Sequence, residues 1–205
     1  AKMRHKFTRL AEKIKSREDV MQKLLKGRPM ELARTAWAMT DTGSDASKFL
    51  KEIESSEMIQ QKIADDASLS DVVNILVAFS KNKPAHIAPN LLSKLEEKGV
   101  KARRNNSSGP ISYFDKMVLR ATPKEIADAC WALADARAYV PAFAVSVRRH
   151  ANHKLSIDAS CHDVADILFY MTKLNSNGSF EKEFYEVTAK KHLKRLESEG
   201  MAHSM

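Results

Sequence analysis

The sequence is poor in the residues that interrupt helices or cross-link a chain. Its 205 residues include only six glycines, six prolines and two cysteines. So few turn-forming residues argue against a sandwich or barrel built from many short strands. Two cysteines cannot form a disulfide framework, which indicates a reducing compartment. No apolar run reaches the roughly 18 residues of a transmembrane helix, so we predict no membrane span.

The chain is rich in helix-forming residues and in positive charge. Hydrophobic residues make up 43% of it, which is enough to fill a core. Lys and Arg number 34 against 26 Asp and Glu, for a formal net charge of +8. That balance favours a polyanionic partner such as nucleic acid, although many basic proteins bind none. Residues 1–11 are basic and lack acids. This start is typical of an organelle-targeted precursor, and a trimmed N-terminus is the equal alternative.

One nine-residue motif occurs four times without gaps. Each copy begins with Asp or Glu, has Leu, Val or Ile at position two, and ends on a large apolar residue. Position seven holds Trp37, Val77, Trp131 and Phe169 in turn. The copies are residues 31–39, 71–79, 125–133 and 163–171. Positions two, six and nine lie on one face of a helix, so we predict that they form the core.

The residues before each copy also agree. Ser68, Thr122 and Ser160 each stand three positions ahead of the motif's acid. A hydroxyl followed three residues later by an acid is typical of the capping box that opens a helix. The first copy has Arg28 at this position, and without a hydroxyl its start is predicted to be weaker. Each motif is therefore predicted to begin a helix.

A second helical pattern follows each motif, at residues 45–53, 85–98, 140–152 and 180–196. Pairs of helices that recur about every 40 residues are typical of repeat proteins. We therefore predict an all-α fold, an α-solenoid of about four helix-turn-helix repeats with extra N-terminal helices. The extra helices are predicted at residues 7–15 and 17–26, with another short one at 111–119.

The domain boundaries follow from this pattern. Residues 1–27 are predicted to be a basic N-terminal helical segment, residues 28–196 the repeat domain, and residues 197–205 a C-terminal tail. Within the domain the repeats are expected near 28–66, 68–98, 122–158 and 160–196, with a basic insertion at 98–121. The insertion accounts for the longest interval between motif starts.

The motif copies that contain tryptophan resemble a known class of helical repeat. Residues 31–39 read Glu-Leu-Ala-Arg-Thr-Ala-Trp-Ala-Met, and residues 125–133 read Glu-Ile-Ala-Asp-Ala-Cys-Trp-Ala-Leu. Both resemble the octotricopeptide and heptatricopeptide repeats of organellar RNA-binding proteins of the RAP and FAST-kinase-like class. The resemblance implies a non-enzymatic RNA-binding protein of the mitochondrial matrix. A structural component of a mitochondrial ribosome that contacts rRNA and neighbouring proteins is the specific expectation.

Clusters of Lys and Arg are the strongest candidates for RNA contact, because cations neutralise phosphates and release counterions. An ordinary solvated face is the alternative for each cluster. We rank the cluster with Arg148 and Arg149 first, because no acid interrupts it in the sequence. The three candidate clusters are Lys101, Arg103 and Arg104; Arg148, Arg149, His150, His153 and Lys154; and Lys190, Lys191, Lys194 and Arg195.

Position four of the motif is a polar column between apolar ones, and it includes Arg34 and Asn74. In a solenoid such positions can meet successive bases, and a merely polar face is the alternative. Trp37 and Trp131 could likewise stack on bases. Because Val77 shares their column, we predict instead that the tryptophans lie in the core. Cys130 at position six is predicted to be buried as well.

No catalytic, metal or cofactor motif is recognisable. His150, His153, Cys161 and His162 lie close in sequence, but their spacing matches no common zinc pattern. We therefore predict neither an enzyme nor a cofactor, no metal, no small-molecule substrate and no membrane partner. The alternative to RNA binding is a scaffold for protein–protein interaction in another organellar complex.

Overall fold

The chain is helical, as its composition predicts. The computed structural model describes residues 18–82, 88–101, 112–138, 140–174 and 194, with the backbone alone for 99–101, 151–158, 161 and 174. These ranges contain ten α-helices and no strand, which confirms the all-α class. The helices are α1 Glu18–Leu25, α2 Pro29–Asp41, α3 Ser47–Ser55, α4 Glu57–Asp66, α5 Leu69–Asn82, α6 Pro89–Lys101, α7 Tyr113–Arg120, α8 Pro123–Asp135, α9 Pro141–Asp158 and α10 Cys161–Leu174. The helix predicted at 7–15, and that at 180–196 apart from Lys194, lie outside the described residues.

Each motif copy opens a helix, namely α2, α5, α8 and α10. Before α5 the Asp71 backbone N–H donates to Ser68 Oγ at 3.2 Å, and the Ser68 N–H donates to the Asp71 carboxylate at 3.0 Å. The same reciprocal bonds join Thr122 with Glu125 and Ser160 with Asp163. The predicted capping box is thus confirmed in three copies.

The first copy begins differently. The Arg28 N–H donates to Glu31 Oε2 at 2.7 Å, and Pro29 occupies the first helical position. This backbone hydrogen bond is the main cause that lowers the pKa of Glu31. The carboxylate half of the capping box is present without a hydroxyl at the cap.

Two of the motif helices are each followed by a residue whose backbone has the left-handed conformation. After α2, Gly43 has φ +70°, its N–H donates to Thr40 O, and the Ser44 N–H donates to Met39 O. This pair of bonds is the Schellman ending, which favours glycine because other residues strain at positive φ. Arg137 has the equivalent position after α8 and the same conformation, with φ +54°. The two copies therefore end alike although only one has the preferred residue.

The chain divides into two compact units, the first formed by Ala1–Tyr113 with Asp135–Ala138. In this unit α2 and α5 share the most extensive contact among the described helices. Leu32 and Ala36 of α2 and Leu76 of α5 are fully buried. Positions two and six of the motif therefore form the core here, as predicted.

Helix α4 was not predicted. It packs against α6, and its Gln60 side chain is buried. Gln60 Nε2 donates to Ile53 O, at 3.3 Å, and so satisfies a carbonyl at the end of α3. Residues 28–66, predicted as one helix-turn-helix repeat, thus contain three helices and not two.

Long side chains from neighbouring helices complete helix ends in the first unit. The Glu54 carboxylate accepts from the backbone N–H groups of Asn90 and Leu91, at 2.6 and 3.3 Å, at the start of α6. Lys62 Nζ donates to the carbonyls of Lys26 and Gly27 just after α1, at 2.9 and 2.8 Å. Both contacts place an opposite charge at a helix terminus, which stabilises it.

The second unit is formed by Phe114–Ala134 with Tyr139–Met205. Its core contains three buried rings, Phe114 of α7, Phe143 of α9 and Tyr170 of α10. The ring centroids of Phe114 and Phe143 are 5.8 Å apart, and those of Phe143 and Tyr170 are 5.9 Å apart. These contacts tie α7, α9 and α10 together and so position the basic residues of α9.

Candidate nucleic-acid interface

The first-ranked basic cluster lies on α9. Arg148 is exposed, and Arg149 Nη1 donates to Asp115 Oδ2 at 3.0 Å. His150 Nε2 lies 2.9 Å from Asp115 Oδ1. The sequence contains no acid within this cluster, but the fold brings one to it from α7. His153 and Lys154 belong to the same helix, and their side chains lie outside the described residues.

The Asp115 carboxylate is buried and engages part of this basic cluster. Its side chain is 1% exposed, whereas the side chain of Arg149 is 54% exposed. A buried carboxylate needs a charged or hydrogen-bonding partner, and the Arg149 guanidinium supplies one. The guanidinium of Arg149 is therefore bonded to a buried acceptor, while the side chain as a whole remains half exposed. Nothing in the local sequence indicated this partner, because 34 residues separate the two groups.

The position-four candidates lie on two helices of the first unit. Arg34 is exposed on α2. Asn74 is half-buried on α5, and its Nδ2 lies 3.5 Å from Ser70 Oγ of the same helix. In the other two copies position four is acidic, and each acid has a nitrogen-bearing side chain near it on its own helix. Asp128 lies 3.2 Å from Lys124 Nζ, and Asp166 lies 3.6 Å from His162 Nε2.

The other predicted contact residues mostly fall outside the described side chains. Lys194 is described and is exposed. Lys101 is the last residue of α6, and only its backbone is described. The remaining candidates, which lie outside the described residues altogether, are Arg103, Arg104, Lys190, Lys191 and Arg195.

The prediction that the tryptophans lie in the core is wrong. Trp37 is 45% exposed, Trp131 is 50% exposed, and Phe169 in the same motif position is 44% exposed. Val77, the fourth member of the column, is 3% exposed. Three of the four copies therefore present an aromatic ring at the surface at position seven.

Helix geometry explains the error. Positions two and nine lie within about 20° of each other around a helix, and position seven lies about 140–160° from both. The ring therefore falls on the opposite side from the buried face. The angular position of this column already indicates the exposed side, whereas the presence of Val77 in the same column favours packing. Cys130 at position six is buried as predicted, and burial raises the pKa of its thiol well above the usual range.

The exposed rings have polar neighbours along their helices. Three residues before them stand Arg34, Asp128 and Asp166, and four residues after them stand Asp41, Asp135 and Lys173. Lys173 Nζ lies 5.3 Å from the centroid of the Phe169 ring, within the range of a cation–π contact. The exposed face of the motif helices therefore combines a ring with groups that can form hydrogen bonds.

Among the described side chains, no three His, Cys, Asp or Glu residues come together as metal ligands. The first unit has a cavity of about 370 Å³ lined by Leu50, Phe79 and Glu54 among others. The Glu54 carboxylate there is already bound to the start of α6. None of the helices in the described ranges is long and apolar enough to cross a bilayer.

No family model, no curated protein and no solved structure matches this chain.

Proposed function

We propose that this chain is an organellar RNA-binding protein, a structural component of a mitochondrial ribosome that contacts rRNA and has no catalytic role. Its motif helices and the helices that follow them stack, in this proposal, as an α-solenoid. In all four copies the backbone N–H of the cap residue donates to the motif's acid, which supports a repeated structural unit. The resemblance of residues 31–39 and 125–133 to organellar repeats supports the setting.

The observation that carries the proposal is the arrangement of Arg149 on α9. Asp115 holds its guanidinium at 3.0 Å, and the side chain remains 54% exposed. An arginine that is fixed before binding loses less conformational entropy when it meets a phosphate. Arg148 is exposed beside it in sequence, and the formal net charge of +8 favours approach of a polyanion.

RNA affinity measured against salt concentration tests the proposal. The Arg148→Glu variant should bind a single-stranded RNA more weakly than the wild type, and the salt dependence of its binding should be shallower. Each phosphate contact contributes about 0.7 to the slope of log affinity against log salt for a single strand. Arg149 is left in place, because its removal would strand the buried Asp115 carboxylate and destabilise the fold.

Lys51→Glu is the matched control, since it makes the same change of charge at an exposed position on α3. A loss in the Arg148 variant that exceeds the loss in this control supports a contact on α9. Equal losses would mean that net charge alone drives binding. An intact wild-type fold with no RNA affinity at any salt concentration would overturn the proposal.

The organellar setting has its own test. The tagged full chain should co-purify with the large assembly of a mitochondrial ribosome, and nuclease digestion should release it. Association that survives complete nuclease digestion would favour the protein-interaction scaffold instead.

A further inference from the structure

We propose that the position-seven rings are stacking sites for the unpaired bases of single-stranded RNA. Trp131 and Phe169 form two such sites in the second unit, and Trp37 forms one in the first. This inference rests on the proposed function and adds the surface and the chemical class of the ligand. In this inference the aromatic rings contact the bases of the RNA, whereas the basic clusters contact its phosphates.

The exposure of the rings is the first step of the argument. A packing role favours nearly complete burial, as shown by Val77, which is 3% exposed at the equivalent position. Trp37, Trp131 and Phe169 are 44–50% exposed in the same column. Large rings that leave half of their surface in water gain only part of the stabilisation that burial supplies. Their recurrence at one exposed position therefore points to a ligand.

The surroundings of the rings favour bases over a protein partner. A protein docking site has an apolar centre made of several neighbouring residues. Of the residues one turn from Trp131, Asp128 and Asp135 are exposed, whereas Ala127 and Ala134 are buried. One turn from Phe169 lie Asp166, Thr172 and Lys173, with the small Ala165 as the apolar neighbour. A ring whose larger neighbours on its own helix are polar matches a base, which offers an apolar face and hydrogen-bonding edges.

Charge near the rings also fits an RNA strand. Lys173 Nζ lies over one face of the Phe169 ring, 5.3 Å from its centroid. A base therefore stacks on the opposite face or displaces the ammonium, and in either case the flexible Lys173 side chain can meet the phosphate of that nucleotide. Asp128, three residues before Trp131, is partly neutralised because its Oδ1 lies 3.2 Å from Lys124 Nζ. In a duplex the faces of the bases are already stacked on one another, so the rings select single strands.

Intrinsic fluorescence provides a direct measurement, since Trp37 and Trp131 are the two tryptophans of the chain. Titration with oligouridine should quench the emission. The Trp37→Phe variant should still be quenched, because its emission comes from Trp131 alone. An abasic oligomer of the same length, which has the same phosphates and no bases, loses every stacking contact at once. It should bind on the order of a hundredfold more weakly and leave the emission unchanged.

Substitution identifies the sites. Trp131→Ala and Phe169→Ala should each weaken oligouridine binding on the order of tenfold, whereas Trp131→Phe should retain most of the affinity. Leu119→Ala is the matched control in the same unit, because Leu119 is 45% exposed and is not aromatic. It should bind as the wild type does. Circular dichroism should show unchanged helix content in all four variants.

The outcomes separate this inference from the proposed function. Equal, salt-dependent binding of oligouridine and the abasic oligomer, with Trp131→Ala unaffected, would overturn the stacking sites and leave RNA binding through phosphates in place. Absence of binding to both oligomers would overturn both proposals. Loss of a protein partner in Trp131→Ala, with oligouridine affinity unchanged, would show that the rings bind protein.

Discussion

Helices α2 and α5 are two copies of one motif within the same unit, and their position-seven residues have opposite environments. Trp37 on α2 is 45% exposed, whereas Val77 on α5 is 3% exposed. Their starts differ as well, because α5 has the hydroxyl of Ser68 at the cap and α2 has Arg28. The two helices nevertheless bury the same motif positions against each other.

The difference between α2 and α5 distinguishes properties that depend on nearby residues in the chain from properties that depend on packing against other parts of the unit. The start of each helix is made by residues three positions apart in the chain, so it recurs wherever those residues recur. The exposure of position seven depends on whether other parts of the unit cover that side of the helix. A motif defined by sequence can therefore have different surfaces in different copies.

The largest expected effect on stability concerns position seven, where α2 and α5 differ in burial. Val77→Asp places an unpaired charge in a buried site and should lower the free energy of unfolding by about 3 kcal/mol or more. Trp37→Asp should cost about 1 kcal/mol, because the indole is already half in water. Urea denaturation followed by circular dichroism measures both. Similar losses in the two variants would contradict the difference in burial.

A smaller effect is expected at the helix starts. Ser68→Ala should destabilise the protein by about 1 kcal/mol, because it removes the oxygen that accepts from the Asp71 N–H. Arg28→Ala should change stability little, since the backbone N–H of residue 28 still meets Glu31. Arg28→Ser should stabilise α2 by supplying the missing hydroxyl. If Arg28→Ala were as harmful as Ser68→Ala, the two starts would not differ as described.

The smallest effect concerns pH and Glu31. Hydrogen bonding to the Arg28 N–H lowers the pKa of Glu31 from its ordinary value of 4.5. Its contribution to stability is therefore complete above the unfolded pKa and is lost as pH falls through the lower folded pKa. The difference in urea midpoint between wild type and Glu31→Gln should shrink over that acidic window. A constant difference down to the lowest pH would exclude an ionised cap.

The fold class and the helix starts could be predicted because they depend on short-range pattern. The motif acids with Ser68, Thr122 and Ser160 form the expected hydrogen bonds. Helix α4 was missed, because its Gln60 is a polar residue buried by contact with the end of α3. A buried polar residue weakens the periodic signal from which helices are predicted.

The candidate site was predicted less completely. The column shared with Val77 predicts a buried Trp37 and Trp131, although their angular position on the helix indicates the exposed side and both are about half exposed. The partner of Arg149 could not be found by pattern at all, because Asp115 lies 34 residues away and on another helix. Its identity depends on how α7 packs against α9.

The sequence by itself determined that the chain is helical, where its motif helices begin and that motif positions two and nine are buried. These properties follow from interactions between residues one to four positions apart, and from the 3.6-residue period. Tertiary structure decided which position-seven side chain is covered and which acid holds Arg149. Both depend on contacts between residues far apart in the chain, whose partners no local pattern specifies.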